Sequence, residues 1–223
     1  MMKRLFIITF FIHVFCLGVA YSIELPNFGL FAGTSYYIGD INPHRHFYRS
    51  WLSFGVLYRY NLNSRYAIRA SVYTARLSGS DLDFREILHP DRQYSPSAFH
   101  TSLIDVALQT EYNFFPFTPY QGIWSWTPFI SAGIASTLIL GSDVNAKNTL
   151  NFPFGIGAKI NLTSRISAGA EWAFRRTFND LIDGVENPSG TRSLIHNNDW
   201  YSFLGVFITF KFFNFTAKCP AYN

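Results

Sequence analysis

From Leu52 to Tyr60 the chain alternates residue by residue: Leu52, Phe54, Val56, Tyr58 and Tyr60 share one face, and Ser53, Gly55, Leu57 and Arg59 the other. Tyr66, Ile68, Ala70 and Val72 stand in the same way against Ala67, Arg69, Ser71 and Tyr73. Further on, Ile104, Val106, Leu108, Thr110 and Tyr112 oppose Asp105, Ala107, Gln109 and Glu111. The run Phe152, Phe154, Ile156, Ala158, Ile160 and Leu162 opposes Gly155, Gly157, Lys159 and Asn161, and Ile166 to Phe174 opposes Ser167, Gly169, Glu171 and Ala173. Successive side chains leave a strand on opposite sides, so a period of two over such lengths predicts strands with two unlike faces. Eight are expected, at about 27–38, 51–61, 65–77, 99–113, 127–140, 151–162, 165–177 and 200–213.

The connections alternate in length. Residues 61–64 and 163–164 are tight turns, whereas 39–50, 78–98, 141–150 and 178–199 are long and hold most of the Asp, Pro, His and exposed Arg. Short turns on one rim and long loops on the other are the pattern of a bacterial outer-membrane barrel, with the short turns periplasmic. Asn61-Leu62-Asn63-Ser64-Arg65 recurs as Asn161-Leu162-Thr163-Ser164-Arg165. A shared demand for a polar turn between two long strands accounts for the repeat.

Alternation alone does not say which face is the lumen. A soluble lipocalin-like barrel would put the apolar face inside. An eight-stranded barrel, however, has an interior just wide enough for its own side chains. It would struggle with this many Phe, Tyr, Trp, Leu and Ile, whereas Gly, Ser, Ala and a few ion pairs fit. Aromatics also gather near strand ends (Tyr58, Tyr60, Tyr66, Tyr112, Phe114, Trp172, Phe212), as interface girdles require. The expected fold class is therefore an all-β, eight-stranded antiparallel transmembrane barrel of the outer membrane with a closed, side-chain-filled lumen. The lumen then holds Arg59, Arg69, Asp105, Glu111, Lys159, Glu171, Arg175 and Lys211. These charges form either a proton or solute path or, as favoured here, a mutually paired plug, since an unpaired buried charge is expensive.

Composition narrows the classes further. Of 223 residues, 19% are aromatic and only 14% charged, the reverse of a disordered chain. The net charge of +4 falls to +2 without Lys3 and Arg4, so no nucleic-acid partner is expected. Lys3 and Arg4, the apolar stretch Leu5 to Val19 and the small residues of Ala20-Tyr21-Ser22 predict a signal peptide over 1–22. The barrel domain then spans 23–223 and reaches a Gram-negative outer membrane by the general secretory route. Only Cys219 remains after the leader, with Cys16, is removed, so no internal disulfide is expected.

Zinc-protease, phosphate-loop and redox motifs are absent. Gly155-Ile156-Gly157 lacks the third glycine of a dinucleotide fingerprint and reads as small lumen-facing residues. His44, His46, His89 and His196 fall in loops. A Ser–His–acid hydrolase site could be assembled around His100 and Ser102, but any chain with this many serines and histidines allows that. No catalytic residue, cofactor, metal or small-molecule substrate is expected.

The rims are more distinctive. Phe114-Phe115-Pro116-Phe117-Thr118-Pro119-Tyr120 runs on through Ile123-Trp124-Ser125-Trp126 where a periplasmic turn should be short and polar. Such a segment either dips into outer-membrane lipid or docks a partner. The candidate partner residues are Phe114, Phe115, Phe117, Tyr120, Trp124, Trp126 and, in the tail, Cys219.

Several stretches resemble a family of small outer-membrane barrels that includes the PorG component of the type IX secretion system. They are Tyr36-Tyr37-Ile38-Gly39-Asp40-Ile41-Asn42, Tyr58-Arg59-Tyr60-Asn61-Leu62 with Arg65, Glu111-Tyr112-Asn113-Phe114-Phe115 and Thr127-Pro128-Phe129-Ile130. Pro153 to Lys159, Arg176-Thr177-Phe178-Asn179-Asp180-Leu181-Ile182-Asp183-Gly184-Val185, Asn198-Asp199-Trp200-Tyr201 and Cys219-Pro220 are similar too. The resemblance implies a barrel that works in assembly, holding a periplasmic ring of a lipoprotein and its partner to the outer membrane. It singles out the loop residues Gly39, Asp40, Asn42, Thr177, Phe178, Asp180, Asp183, Asp199 and Trp200. Their alternative role is loop capping and interface anchoring. A general envelope or adhesion barrel, acting through its outer loops, is the second expectation.

Overall fold

The structure is a computed structural model that describes residues 26–38, 46–80, 98–117, 124–140, 148–163, 165–178 and 200–211. The expected leader 1–22 lies outside the described residues, as do Gly39, Asp40, Asn42, Tyr120, Asp180, Asp183, Asp199 and Cys219.

Eight strands follow one another in chain order: β1 Asn27–Ile38, β2 Trp51–Asn61, β3 Tyr66–Ser80, β4 Ala98–Asn113, β5 Trp126–Leu140, β6 Asn148–Asn161, β7 Ile166–Thr177 and β8 Trp200–Lys211. Each pairs antiparallel with its sequence neighbour, and β1 pairs with β8 to close the barrel. Strands β3 and β6 run about three residues further toward the long-loop rim than the alternation predicted. In a bilayer, closure is what removes the unpaired edge of a sheet.

The alternating faces fall as expected. Leu52, Phe54, Leu108, Ile134, Leu150, Ile156 and Val206 are exposed on the outer wall, while Arg59, Arg69, Asp105, Glu111, Lys159, Glu171 and Arg175 are buried in the lumen. The energetic reason is one-sided: Arg or Lys facing lipid near the bilayer midplane costs about 2–4 kcal/mol.

The lumen is not built of small residues and ion pairs alone. Phe31, Tyr73, Phe129, Tyr201, Phe203 and Phe207 are also buried there. They fit because glycines face them. Phe129 is the register partner of Gly157, and Phe207 of Gly169. A Cβ on Gly157 would stand 2.6 Å from Phe129 Cζ, and one on Gly169 2.4 Å from Phe207 Cζ.

The repeated pentapeptide forms the same turn twice. Leu62 N donates to Tyr66 O (2.9 Å), and Leu162 N to Ile166 O (3.0 Å). Asn63 Oδ1 accepts from the backbone of Arg65 and Tyr66, and Thr163 Oγ1 from that of Arg165 and Ile166. Asn and Thr are interchangeable here because each offers one short side-chain oxygen to a turn amide.

One seam departs from a regular barrel. The β2–β3 ladder stops at Gly55↔Tyr73, although β2 continues to Trp51 and β3 to Ser80. Side chains take over beyond that point. Ser53 Oγ donates to Thr74 O, Thr74 Oγ1 to Phe54 O (3.0 Å), Ser35 Oγ to Arg76 O (3.0 Å) and Trp51 Nε1 to Ser78 Oγ (3.0 Å). Ser35 and Ser53 point inward, so the long-loop half of β3 is recessed to the lumen side of β1 and β2.

Candidate functional site

The lumen charges form two tiers that tie opposite walls together. In the lower tier Glu111 Oε1 on β4 accepts from Arg59 Nη2 on β2 at 3.0 Å, and Arg59 Nε lies 2.9 Å from Oε2 as an ion pair. Lys159 Nζ on β6 donates to the same carboxylate at 2.9 Å, and Arg69 Nη1 lies 3.3 Å from Oε1. Arg69 on β3 also pairs with Glu171 on β7, directly across the lumen, and donates to Gln109 Oε1 at 2.9 Å. In the upper tier Asp105 on β4 accepts from Arg175 Nε (3.0 Å) and Tyr201 OH (2.7 Å). Asn151 and Thr137 complete that tier through the Tyr201 hydroxyl.

Aromatic faces cover the cations. Arg59 lies over Phe207 at 5.1 Å, Lys159 over Phe129 at 5.2 Å and Arg175 over Phe203 at 5.2 Å. Contacts between a cation and a ring strengthen once both are out of water. The arrangement fills the lumen and cross-links its walls, which fits a plug better than a path. Lys211 lies apart from these tiers, half-exposed at the short-turn mouth and level with Asn27. Counting charges missed Thr137, Asn151 and Tyr201. The same period-two phase that placed the charges would have found them.

The described ends of the β4–β5 connection, residues 114–117 and 124–125, are fastened to the short-turn mouth of the barrel. Arg65 Nη1 donates to Phe114 O (2.8 Å), Phe115 N to Thr127 Oγ1 (3.0 Å), and Phe117 N to Ser64 O (2.8 Å). Phe117 corrects the sequence reading. It is 3% exposed, with its ring 5.2 Å from Lys159 Nζ, and so caps the lumen instead of facing a partner. Sequence could not separate it from Phe115, two positions earlier and on the opposite side. Phe114, Phe115, Trp124 and Trp126 do face outward, with Trp124 69% exposed. Phe115 and Trp126 pack edge to face at 5.3 Å. Trp124 has φ 69°, its N–H donating to Asn161 O at 2.9 Å. A left-handed conformation at a large side chain is strained and persists only where its surroundings impose it.

Of the loop residues, Thr177 is buried on the lumen side, Phe178 is exposed, and Trp200 lies on the outer wall with Arg176 over its ring at 5.7 Å. Trp200 also meets Phe154 edge to face, as an interface anchor does. The resemblance stretch at Tyr36 is anchored as well: Trp172 Nε1 donates to the Tyr36 hydroxyl at 2.8 Å.

His100 and Ser102 lie two positions apart on the outward face of β4, where the His100 ring contacts Trp51 at 5.4 Å. The carboxylates among the described residues, Asp105, Glu111 and Glu171, are all inside the lumen. The described residues therefore bring no acid to His100. They also hold no group of His, Cys, Asp and Glu able to bind a metal ion.

The chain is similar to solved outer-membrane barrels. Neisserial surface protein A is 10% identical, with 84% of this chain and 97% of that chain covered and a TM-score of 0.56. The outer membrane protein OprG of Pseudomonas aeruginosa is 10% identical, with 85% and 98% covered and a TM-score of 0.49. The N-terminal β-barrel domain of P. aeruginosa OprF is 17% identical, with 84% and 98% covered and a TM-score of 0.44. No curated protein matches the chain. The closed ladder and the apolar outer wall make this a small outer-membrane β-barrel. A family profile described as a domain of unknown function, DUF6089, matches residues 3–221, and the chain belongs to that family.

Proposed function

We propose that this barrel is a non-enzymatic anchor or accessory subunit of a type IX protein secretion complex, docking a periplasmic ring lipoprotein and its partner through the β4–β5 connection. The observation that carries the reading is Trp124, which is held in a strained conformation and presented to solvent beside Trp126, Phe115 and Phe114. Interfaces concentrate Trp and Tyr anchors of this kind. The resemblance to the PorG-like barrels supplies the identity of the complex. The tail, with Cys219, is the second proposed contact.

The test is cross-linking mass spectrometry on native outer membranes, with a tag in the 141–147 loop. Cross-links from the β4–β5 connection to a secretion lipoprotein are expected. Trp124→Ser combined with Trp126→Ser should remove them while the barrel still migrates as a folded species in an unheated denaturing gel. Cross-links confined to the long-loop rim would replace this reading with the envelope or adhesion role.

A further inference from the structure

The recessed half of β3 leaves a groove of about 550 Å³ on the outer wall, within the size range of small-ligand sites. Trp51, Leu52 and Phe54 of β2 form one bank, Ser102 and Ile104 of β4 with Leu140 of β5 form the other, and Thr74 to Arg76 run along the floor. Its lining is mostly apolar, and it opens onto the face that meets lipid. Its polar groups gather near the long-loop rim. Arg76 is exposed there with its guanidinium 6.0 Å from the Trp51 ring, and His100 stacks edge to face on the same indole. Among the described residues every carboxylate is on the lumen side of the wall, so none neutralises Arg76.

An arginine fork fits a phosphate, and Arg76 stands on the outer wall with no carboxylate beside it among the described residues. We propose that this groove is a binding site for an anionic membrane lipid of the outer leaflet, one acyl chain lying between β2 and β4 and the phosphate on Arg76. The occupant is a lipid and not a free anion because the cation stands at the head of a trough whose remaining walls are Leu52, Phe54, Ile104 and Leu140. The site depends on the seam, since a β3 paired with β2 up to Ser80 would lie in the wall and leave no recess.

Native mass spectrometry of the full chain released from detergent tests the assignment. The probes are dimyristoyl phosphatidylglycerol, dimyristoyl phosphatidylcholine and inorganic phosphate. The wild type should retain the anionic lipid about tenfold better than the zwitterionic one, the size of one charge-assisted contact. Arg76→Gln should abolish that preference, Arg76→Lys should keep part of it, and Leu140→Trp, which fills the trough, should reduce retention of both lipids. Migration of each variant as a folded barrel in unheated gels is the control, and Leu140→Trp decides the matter if Arg76→Gln does not fold. Equal retention of the two lipids by the wild type overturns the proposal, as does an unchanged preference in Arg76→Gln. Inorganic phosphate displacing the lipid completely, with Leu140→Trp without effect, would mark a free-anion site and overturn it too.

Discussion

Glu111 is the residue on which the lumen is most dependent. Its one carboxylate meets Arg59, Lys159 and Arg69, all buried, at 2.9 to 3.3 Å. Glu111→Gln keeps the volume and removes the charge. Arg69 retains Glu171, but Arg59 and Lys159 lose the only carboxylate that the described contacts give them. Breaking a buried pair by removing one partner costs about 3–5 kcal/mol, most of it from the charge left behind. With a urea slope of about 2–3 kcal/mol/M, that lowers the unfolding midpoint by about 1–2.5 M. The assay is the fraction of folded, fast-migrating barrel in unheated gels along a urea series in lipid or detergent. Lys159→Met in the Glu111→Gln background should recover part of the loss, with a coupling of about 0.5–3 kcal/mol. A Glu111→Gln midpoint equal to that of the wild type would refute the reasoning. It would mean that water solvates these cations and that the lumen is a wet passage.

Two further outcomes are expected. Gly157→Val should destabilise the barrel by about 1–3 kcal/mol through overpacking, because its Cβ would meet both Phe129 Cζ at 2.6 Å and Ala170 O at 2.5 Å. The added loss of Phe129→Ala in that background, measured in the same urea series, should be smaller than in the wild type. At the seam, Ser53→Ala with Thr74→Val removes two of the bridges that stand in for the missing ladder, at about 0.5–1.5 kcal/mol each. Hydrogen exchange should then quicken at residues 74–80 and stay unchanged in β6 and β7; uniform quickening would show that the seam is not a separate unit.

Much of the architecture was legible because the physics behind it is local. Along the middle of each strand the lipid-facing positions are mostly apolar, and the neighbouring lumen position has room only for what another side chain can pair with or pack against. Arg69 and Glu171 could therefore each be assigned to the lumen from its own neighbours. Their pairing could not, since it joins residues 102 apart in the chain and depends on how far each strand is staggered around the closure. The aromatic content of the lumen was underestimated for the same reason. Phe129 and Phe207 are tolerated only because Gly157 and Gly169 lie beside them on the next strand, which register alone decides.

The candidate sites divide along the same line. Arg76, Ser102 and Leu140 all face outward, yet nothing in their order along the chain shows that β3 withdraws beneath β2 and opens a groove between them. Phe117 and Trp124 read alike as exposed rim aromatics until the turn folded one into the lumen mouth and the other out. The sequence by itself determined the number of strands, their faces, the rims and the chemistry available on each, because these follow from the two-residue period and the solvent on either side. Only the tertiary structure decided which charges meet, where the ladder breaks and which rim aromatics are free, because those depend on strand stagger and on contacts between residues far apart in the chain.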